Sequence, residues 1–192
     1  MVVVSTEEQV EQPSYTVYSK KLVYEIRQYE AQVWAQVEYT VPASMDPSKS
    51  GTLGFMPLFK FISGANSRQQ KIPMTAPVVS EFMPSSSSGA QVRRMAFIMP
   101  HSIFSTLDSV PTPTDPNVKL VAVDNGARFA CTTFNMIMDR AQIQQETKIL
   151  REAAASDGVM LSADTKQVRY QSYDAPYVPA EKRTNDICIP LQ

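Results

Sequence analysis

The order of secondary-structure patterns in the first half of this chain is repeated in the second half, which limits the folds that the chain can adopt. Each half reads strand, strand, helix, strand, strand, and the proline-rich segment Pro111–Pro116 lies between them. We place the two halves at about residues 15–110 and 117–192 of a single domain, residues 15–192. A duplication of this kind favours an α+β fold: two β-β-α-β-β units form an antiparallel sheet, curled toward a barrel and flanked by two helices.

Strands are predicted where apolar and polar residues alternate, or where β-branched and aromatic residues cluster. Residues 31–41 alternate most clearly, with Val33, Ala35 and Val37 on one face and Trp34 on the other. Further strands are predicted at residues 17–27 (one strand or two), 74–82, 94–99, 118–123, 128–135, 166–173 and 186–191.

The first helix is predicted at residues 53–62, where apolar residues follow helical spacing. Thr52 is its predicted N-cap and Gly64 its predicted end. Because proline is tolerated only in the first turn of a helix, Pro57 suggests that the regular helix starts nearer Phe55. Residues 42–50 are then expected to form a loop.

The second helix is predicted at residues 140–156. Asp139 and Gln142 have the spacing of a capping box, and Gly158 marks the end of the helix. The predicted buried face consists of Ile143, Thr147, Leu150 and Ala154.

Composition excludes several classes of partner. With 18 basic and 19 acidic residues the net charge is −1, which argues against binding to nucleic acid or to anionic lipid. No apolar stretch approaches the roughly 20 residues of a transmembrane segment. Residues 1–14 are expected to be a flexible tail, and Met1–Val4 are too short for a signal peptide. A cytoplasmic location is therefore expected, or a plastid if a transit peptide has been removed.

Side chains that commonly carry chemistry are few. Cys131 and Cys188 lie in apolar, strand-like runs and are predicted to be buried thiols in a reducing compartment, although a disulfide between them is geometrically possible. His101 is the only histidine, so neither a catalytic triad nor a structural zinc site is expected. The Gly-rich phosphate-binding motifs are also missing. The chain does not look built for acid–base catalysis by its side chains.

The first helix is instead notable for being apolar nearly all round. On its own, such an apolar stripe is most often part of the core. One helix on one sheet can bury only one face, however, and a part that stays exposed would mark a groove for a ligand or a partner. The ten methionines of the chain suit such an adaptable surface. Four consecutive serines, Ser85–Ser88, are predicted to lie in a solvated connector between two strands.

Several longer motifs are distinctive: Tyr24–Glu30, Val33–Ala35, Gly54–Phe55, Gly64–Asn66, Lys71–Val78, Met99–Pro100 and Tyr173–Pro176. With them the chain resembles the SOUL, or haem-binding-protein, family, from about Tyr15 to Leu191. The resemblance implies a duplicated antiparallel barrel with two flanking helices, similar also to bacterial effector-binding domains that hold drugs. It implies reversible, non-covalent binding of haem or another tetrapyrrole, as a carrier, buffer or sensor.

The resemblance also implies where the ligand binds: in a groove between the first helix and a late loop. Phe55 and Phe59 are one helical turn apart and are expected to stack on a porphyrin face, while Lys60 is expected to pair with a propionate. Thr52 and Val178 stand where some relatives carry cationic groups. The implied site consists of Thr52, Phe55, Phe59, Lys60, Tyr177 and Val178.

Axial ligation of the iron is not implied in the same way. Glu30 occupies the position at which one branch of the family is thought to carry a histidine ligand, so that route is excluded, and His101 is the remaining candidate. Ligation is not required for binding. Burial of roughly 400 Å² of porphyrin contributes on the order of 10 kcal/mol before association costs, which is compatible with micromolar or weaker binding.

Three alternatives stay open. The chain would be an enzyme that removes the metal from a tetrapyrrole if His101 or Glu30 donates a proton near the ring nitrogens. It would be an interaction module if the apolar groove takes a peptide, a helix or a second copy of the chain. Binding of a drug-like effector rests on fold analogy alone.

Overall fold

A computed structural model of the chain describes residues 10–84 and 89–192. The connector residues Ser85–Ser88 and the first nine residues of the predicted tail therefore lie outside the described residues. Within the predicted tail, Glu11 pairs with Thr75 in a β-bridge, and its carboxylate accepts hydrogen bonds from the backbone N–H and hydroxyl of Ser102.

The described part of the chain forms nine strands and two α-helices. Their bounds are β1 Tyr15–Lys20, β2 Glu25–Tyr29, β3 Gln32–Pro42, α1 Pro47–Ile62, β4 Val78–Phe82, β5 Ala90–Ile98, β6 Lys119–Val123, β7 Arg128–Asn135, α2 Arg140–Ser156, β8 Arg169–Ser172 and β9 Thr184–Pro190.

All nine strands belong to one antiparallel sheet in the order β1-β2-β7-β9-β8-β4-β5-β3-β6. Apart from β1, the order is symmetric about its centre: β2, β3, β4 and β5 take the same places from one edge as β6, β7, β8 and β9 take from the other. If β1 is set aside as an additional strand, β2 and β6 are the first strands of the two repeated units. Each pairs with the second strand of the other unit, β2 with β7 and β6 with β3. The predicted fold class is confirmed: duplicated β-β-α-β-β units build a curled antiparallel half-barrel with two helices.

Both helices pack on the same face of the sheet. The core under α1 includes Leu58 and Phe61 of the helix with Phe97 of β5, and the core under α2 includes Leu150 with Ile187 of β9. The other face of the sheet, here called the open face, is lined by alternate residues of the same strands. Its members include Arg27, Trp34, Val79, Glu81, Arg94, Phe129, Cys131, Arg169, Gln171, Asp186 and Cys188.

Helix α1 starts earlier than the sequence predicted. Its N-cap is Asp46, whose side chain accepts a hydrogen bond from the Ser48 N–H, and Pro47 occupies the first turn, where its missing donor costs nothing. Thr52 is therefore not the N-cap, and the predicted loop over residues 42–50 is helical from Pro47. Pro57 lies inside the helix without ending it.

Helix α2 occupies the predicted residues. Asp139 caps it by accepting a hydrogen bond from the Gln142 N–H, but the Gln142 side chain donates to Glu146, so the second half of a capping box is not made. Gly158 follows the helix with a positive φ of 72°, as expected of its predicted role.

Cys131 and Cys188 are buried, as predicted, but the prediction that they are free thiols is wrong. Cys131 of β7 and Cys188 of β9 lie directly opposite each other, with their Cα atoms 4.1 Å apart, and form a disulfide. The two cysteines are 57 residues apart in the chain, so the sequence alone does not predict their pairing. It follows from the register of β7 and β9. The sequence analysis inferred a reducing compartment from two free thiols, and the disulfide removes that argument. Within the described residues, no helix is long and apolar enough to cross a membrane.

The N-termini of the two helices meet at Asp46. One carboxylate oxygen caps α1 at the Ser48 N–H, while the other accepts from the backbone N–H of Arg140 at the start of α2, at 3.1 Å. Arg93 of β5 fixes the same corner by donating to the carbonyls of Met45 and Asp46. Hydrogen bonds, chiefly from the Ser48 hydroxyl, hold the pKa of Asp46 below its ordinary value.

Two glycines of α1 are expected to respond oppositely to alanine. A Cβ on Gly54 would lie 2.6 Å from the Tyr39 ring and 2.8 Å from Met95 Cβ, whereas a Cβ on Gly51 meets nothing within 4 Å. Gly54→Ala is expected to lower the free energy of unfolding by about 1–2 kcal/mol through overpacking. Gly51→Ala is expected to raise it by about 0.5–1 kcal/mol through helix propensity. Urea denaturation measures both, and equal effects would contradict the close packing at Gly54.

Asp46→Asn is expected to destabilise the protein by roughly 1–2 kcal/mol at neutral pH, because an amide has one acceptor oxygen for two helix ends. The lowered pKa of Asp46 means that its contribution is present above the unfolded-state pKa of about 4 and is lost as pH falls below it. The stability difference between wild type and variant should therefore shrink in acid.

Asp139→Asn is the matched control, since the Asp139 side chain caps α2 alone. Asparagine caps a single helix nearly as well as aspartate, so a loss below about 0.5 kcal/mol is expected. Urea denaturation from pH 7 to pH 3 compares the two variants. Equal losses at all pH values would show that Asp46 does not bridge the helices.

Candidate ligand-binding surfaces

Helix α1 exposes a stripe of large apolar side chains. Leu53, Met56 and Phe59, here called the α1 stripe, are 53%, 43% and 45% exposed and lie three residues apart along the helix. The sheet buries the opposite face of α1 at Leu58 and Phe61. The helix is apolar nearly all round, but the sheet covers only one of its faces. Apolar side chains therefore remain exposed on the outer face.

Phe55 and Phe59 form an aromatic pair with their ring centroids 5.6 Å apart and their planes 16° apart. Phe55 packs in turn edge-on against Phe97 of β5, at 5.2 Å and 64°. Phe97 is only 2% exposed. The three rings therefore connect the core to the surface, and the buried end fixes the position of the ring that faces solvent.

The other residues of the predicted site are not all gathered around this pair. Thr52 and Lys60 are exposed on α1, and Lys60 lies in its last turn. Tyr177 is 89% exposed on the loop between β8 and β9, beside the partly buried Val178. Within residues 10–84 and 89–192, no hydrogen bond, ion pair or aromatic pair joins Tyr177 or Val178 to α1.

The loop itself is fixed from within. Arg183 donates from Nε to the Val178 carbonyl at 2.8 Å and from its second nitrogen to the carbonyl of Pro176. The Asp174 carboxylate accepts from the Thr184 N–H at the start of β9, at 2.6 Å. Tyr177 is thus carried on an ordered turn rather than on α1.

The two residues considered for iron ligation or proton transfer are not on α1 but in connections between strands. His101 is exposed in the turn after β5, and Glu30 is exposed between β2 and β3. Among the described residues, no group of three or more His, Cys, Asp or Glu side chains is arranged to hold a metal ion.

A polar network on the open face was not foreseen from the sequence. Arg27 of β2 donates to Asp186 of β9 at 2.7 Å, and Asp186 also accepts from Tyr173 at 2.8 Å and Thr133 at 2.5 Å. Burial opposes the charge of Arg27, but the Asp186 carboxylate holds the Arg27 pKa above its ordinary value. Burial and the same carboxylate raise the pKa of Tyr173.

A cavity of about 510 Å³ opens at one end of the open face. Arg94 lies in its wall and is paired with Glu81 and Glu38, each at 2.6 Å. The sequence did not point to this cavity, because its walls come from strands far apart in the chain. Its lining includes Met83, Arg94, Phe129, Lys166, Arg169 and Pro190.

Solved structures define the class to which this fold belongs. The C-terminal domain of EcmrR superposes with a TM-score of 0.63 at 12% identity, over 90% of this chain and 99% of that one. A hydrolase from Listeria innocua gives 0.61 at 11% identity, over 91% and 94%. SAV2435 bound to tetraphenylphosphonium gives 0.51 at 9% identity, over 88% and 93%. At these identities, the likeness shows a shared curled half-barrel fold alone.

The sequence identifies the family within this class. Residues 10–190 match the SOUL heme-binding protein family, and the chain belongs to that family. No curated protein matches the chain significantly. Binding of haem or a related tetrapyrrole is therefore supported at the level of the family.

The buried pair on the open face is expected to matter far more than the exposed one. Asp186→Asn leaves the guanidinium of Arg27 buried with only Glu25 as a charged partner, which is expected to cost about 2–4 kcal/mol of unfolding free energy. Glu38 is 53% exposed and pairs with Arg94. Glu38→Gln is expected to cost below about 1 kcal/mol of unfolding free energy. Urea denaturation compares them, and similar losses would refute the importance of the buried pair.

Proposed function

We propose that this protein binds haem or another tetrapyrrole reversibly on the outer face of α1 and acts as a carrier, buffer or sensor. The observation that carries the proposal is the aromatic pair of Phe55 and Phe59 on the outer face of α1, supported from below by the buried ring of Phe97, in a member of a haem-binding family. Aromatic rings favour stacked contacts with other π-systems. The neighbouring Leu53 and Met56 extend the apolar surface available to the macrocycle.

Polar residues at both ends of this surface suit the ligand's edge. Thr52 and Lys60 are eight positions apart on α1, or roughly 12 Å at 1.5 Å per residue, and the aromatic pair lies between them. Lys60 supplies the positive charge for a propionate. We assign Tyr177 and Val178 to the far wall of the site, which requires the β8–β9 loop to close toward α1 when the ligand binds.

The residues of α1 fit the macrocycle better than they fit its metal. An axial ligand needs a nitrogen, sulfur or oxygen donor over the ring centre, and the α1 stripe offers only carbon atoms and the Met56 thioether. We therefore infer that affinity comes mainly from burial of the ring. Metal-free porphyrin is then expected to bind about as well as haem, and His101 is the residue to test if it does not.

A second function for the same surface is favoured by Leu53 and Met56, which lie beyond the aromatic pair. Exposed Leu, Met and Phe at helical spacing also suit the apolar face of a partner helix or of a second copy of the chain. Removal of the metal from a tetrapyrrole has weaker support, because Glu30 and His101 lie off α1.

An absorption titration with ferric haem and with metal-free protoporphyrin tests the proposal. Wild type is expected to bind both pigments saturably. Phe59→Ala is expected to weaken both by roughly tenfold or more, through lost stacking and lost apolar area. Ile149→Ala is the matched control, because Ile149 is an exposed apolar residue on α2. Its affinities should stay within about twofold of wild type.

The possible results separate the alternatives. Binding of haem alone would show that an axial ligand dominates, and His101→Ala would then be the next variant. If neither pigment binds saturably, the tetrapyrrole proposal is wrong. Sedimentation of wild type and Phe59→Ala would then show whether the α1 stripe joins two copies of the chain.

A further inference from the structure

Arg169 of β8 is a charged residue that the proposed tetrapyrrole site leaves unused. It lies on the open face, on the opposite side of the sheet from α1. Its guanidinium carbon is 4.2 Å from the centroid of the Phe129 ring and 4.9 Å from that of Trp34. In residues 10–84 and 89–192, this guanidinium has no hydrogen-bond or ion-pair partner, although the side chain is partly buried.

An arginine in this setting is charged but poorly compensated. Burial lowers the pKa of Arg169, yet a guanidinium stays protonated in proteins. The two aromatic faces offset part of the desolvation cost through cation–π contact. They provide no hydrogen-bond acceptors, so its N–H donors remain available to a ligand.

The carboxylates nearby are already engaged. Glu81 lies in the same cavity, but it is paired with Arg94, which also binds Glu38. Asp164 is exposed at the rim, where its carboxylate accepts from the Lys166 backbone N–H. The Lys166 side chain therefore adds a second cation to the cavity lining without a described ion-pair partner.

We propose that this cavity binds a planar organic anion, with its carboxylate on Arg169 and its ring against the apolar wall. The fork of an arginine matches a carboxylate in a bidentate hydrogen bond. Phe129, Pro190 and Met83 supply the apolar wall, and a volume of about 510 Å³ lies within the range of small-molecule sites. The inference goes beyond the proposed function, since it concerns another surface and another class of ligand.

The chain contains its own reporter for this site. Trp34 is the only tryptophan, and Arg169 lies over its ring. Because the chain has one tryptophan, ¹⁵N-labelled protein gives a single indole signal. The indole N–H of Trp34 donates to the Gln32 side chain at 2.6 Å. A ligand that engages Arg169 is expected to shift this signal in a saturable way.

Three probes that share one ring system test the charge preference in the wild-type protein. We expect biphenyl-4-carboxylate to bind at least roughly tenfold more tightly than biphenyl-4-carboxamide, because the neutral amide makes no charge-assisted pair with Arg169. Biphenyl-4-ylmethylammonium is expected not to bind. Equal affinity for acid and amide, or preference for the ammonium, would overturn the proposal.

Variants locate the anion within the cavity. Arg169→Gln is expected to weaken carboxylate binding by roughly tenfold or more, and Lys166→Gln by about two- to fivefold. Arg68→Gln is the matched control, because Arg68 is exposed and donates to the Ser109 carbonyl away from the cavity. It should leave affinity unchanged. Wild-type carboxylate affinity in Arg169→Gln would also refute the site.

The test remains decisive if a variant does not fold, and it is independent of the tetrapyrrole site. If Arg169→Gln fails to fold, the comparison of the three probes in wild type still decides the question. Haem titration of the folded variants separates this inference from the proposed function. Loss of carboxylate binding with unchanged haem binding would establish two independent sites, whereas displacement of the carboxylate by haem would reject the separate anion site.

Discussion

The structure depends on the exchange of strands between its two halves. Strand β2 pairs with β7 and β6 pairs with β3, so each half completes its sheet with the first strand of the other. Strands β4 and β8 join the halves at the centre. Three strands of each half pair with one another, β3, β5 and β4 in the first and β7, β9 and β8 in the second, and the exchanged strand extends each set by one. Both helices are held on the same face of the sheet. Asp46, which caps both helices, ties them together across the junction.

How far the sequence predicts this arrangement depends on the range of the interactions involved. Alternation in residues 31–41 and helical spacing in residues 140–156 are local signals, and both elements form as predicted. Helix α1 starts before the predicted residue 53, because Asp46 caps it with Pro47 in its first turn and because the helix accommodates Pro57 in its interior. The strand exchange, the Cys131–Cys188 pairing and the surroundings of Arg169 depend on contacts between residues far apart in the chain, which periodicity does not report.

The candidate site shows the same division. Residues on one helix, such as Phe55 and Phe59, could be placed together from their spacing, and the structure stacks their rings. Their relation to Tyr177 rested on resemblance, and no described polar or aromatic contact links the two. On the open face, alternation predicted that Trp34 lies on the side of its strand opposite to Val33 and Ala35. Its contact with Arg169 could not be predicted, since Trp34, Phe129 and Arg169 come from three strands that only the sheet order brings together.

The sheet therefore separates two kinds of chemistry. Its helix-bearing face carries the exposed apolar and aromatic side chains of α1. Its open face holds the buried, paired Arg27 and two partly buried arginines, of which Arg94 is paired and Arg169 has no ion-pair partner among the described residues. The two surfaces share the strands of one sheet, because residues adjacent in β5 point to opposite faces. Phe97 supports the ring of Phe55 on one side, and Ala96 and Ile98 pack with Trp34 on the other.

Gly54 connects this packing to the proposed function. Without a Cβ, the helix can approach the Tyr39 ring and Met95 within a distance that no larger residue permits. That close approach sets the height of the next residue, Phe55, above β5, so that its ring reaches Phe97. The orientation of Phe59 at the surface follows from the same contact through Phe55. The position of the exposed aromatic pair is thus a consequence of how closely α1 packs on the sheet, rather than a property of the helix alone.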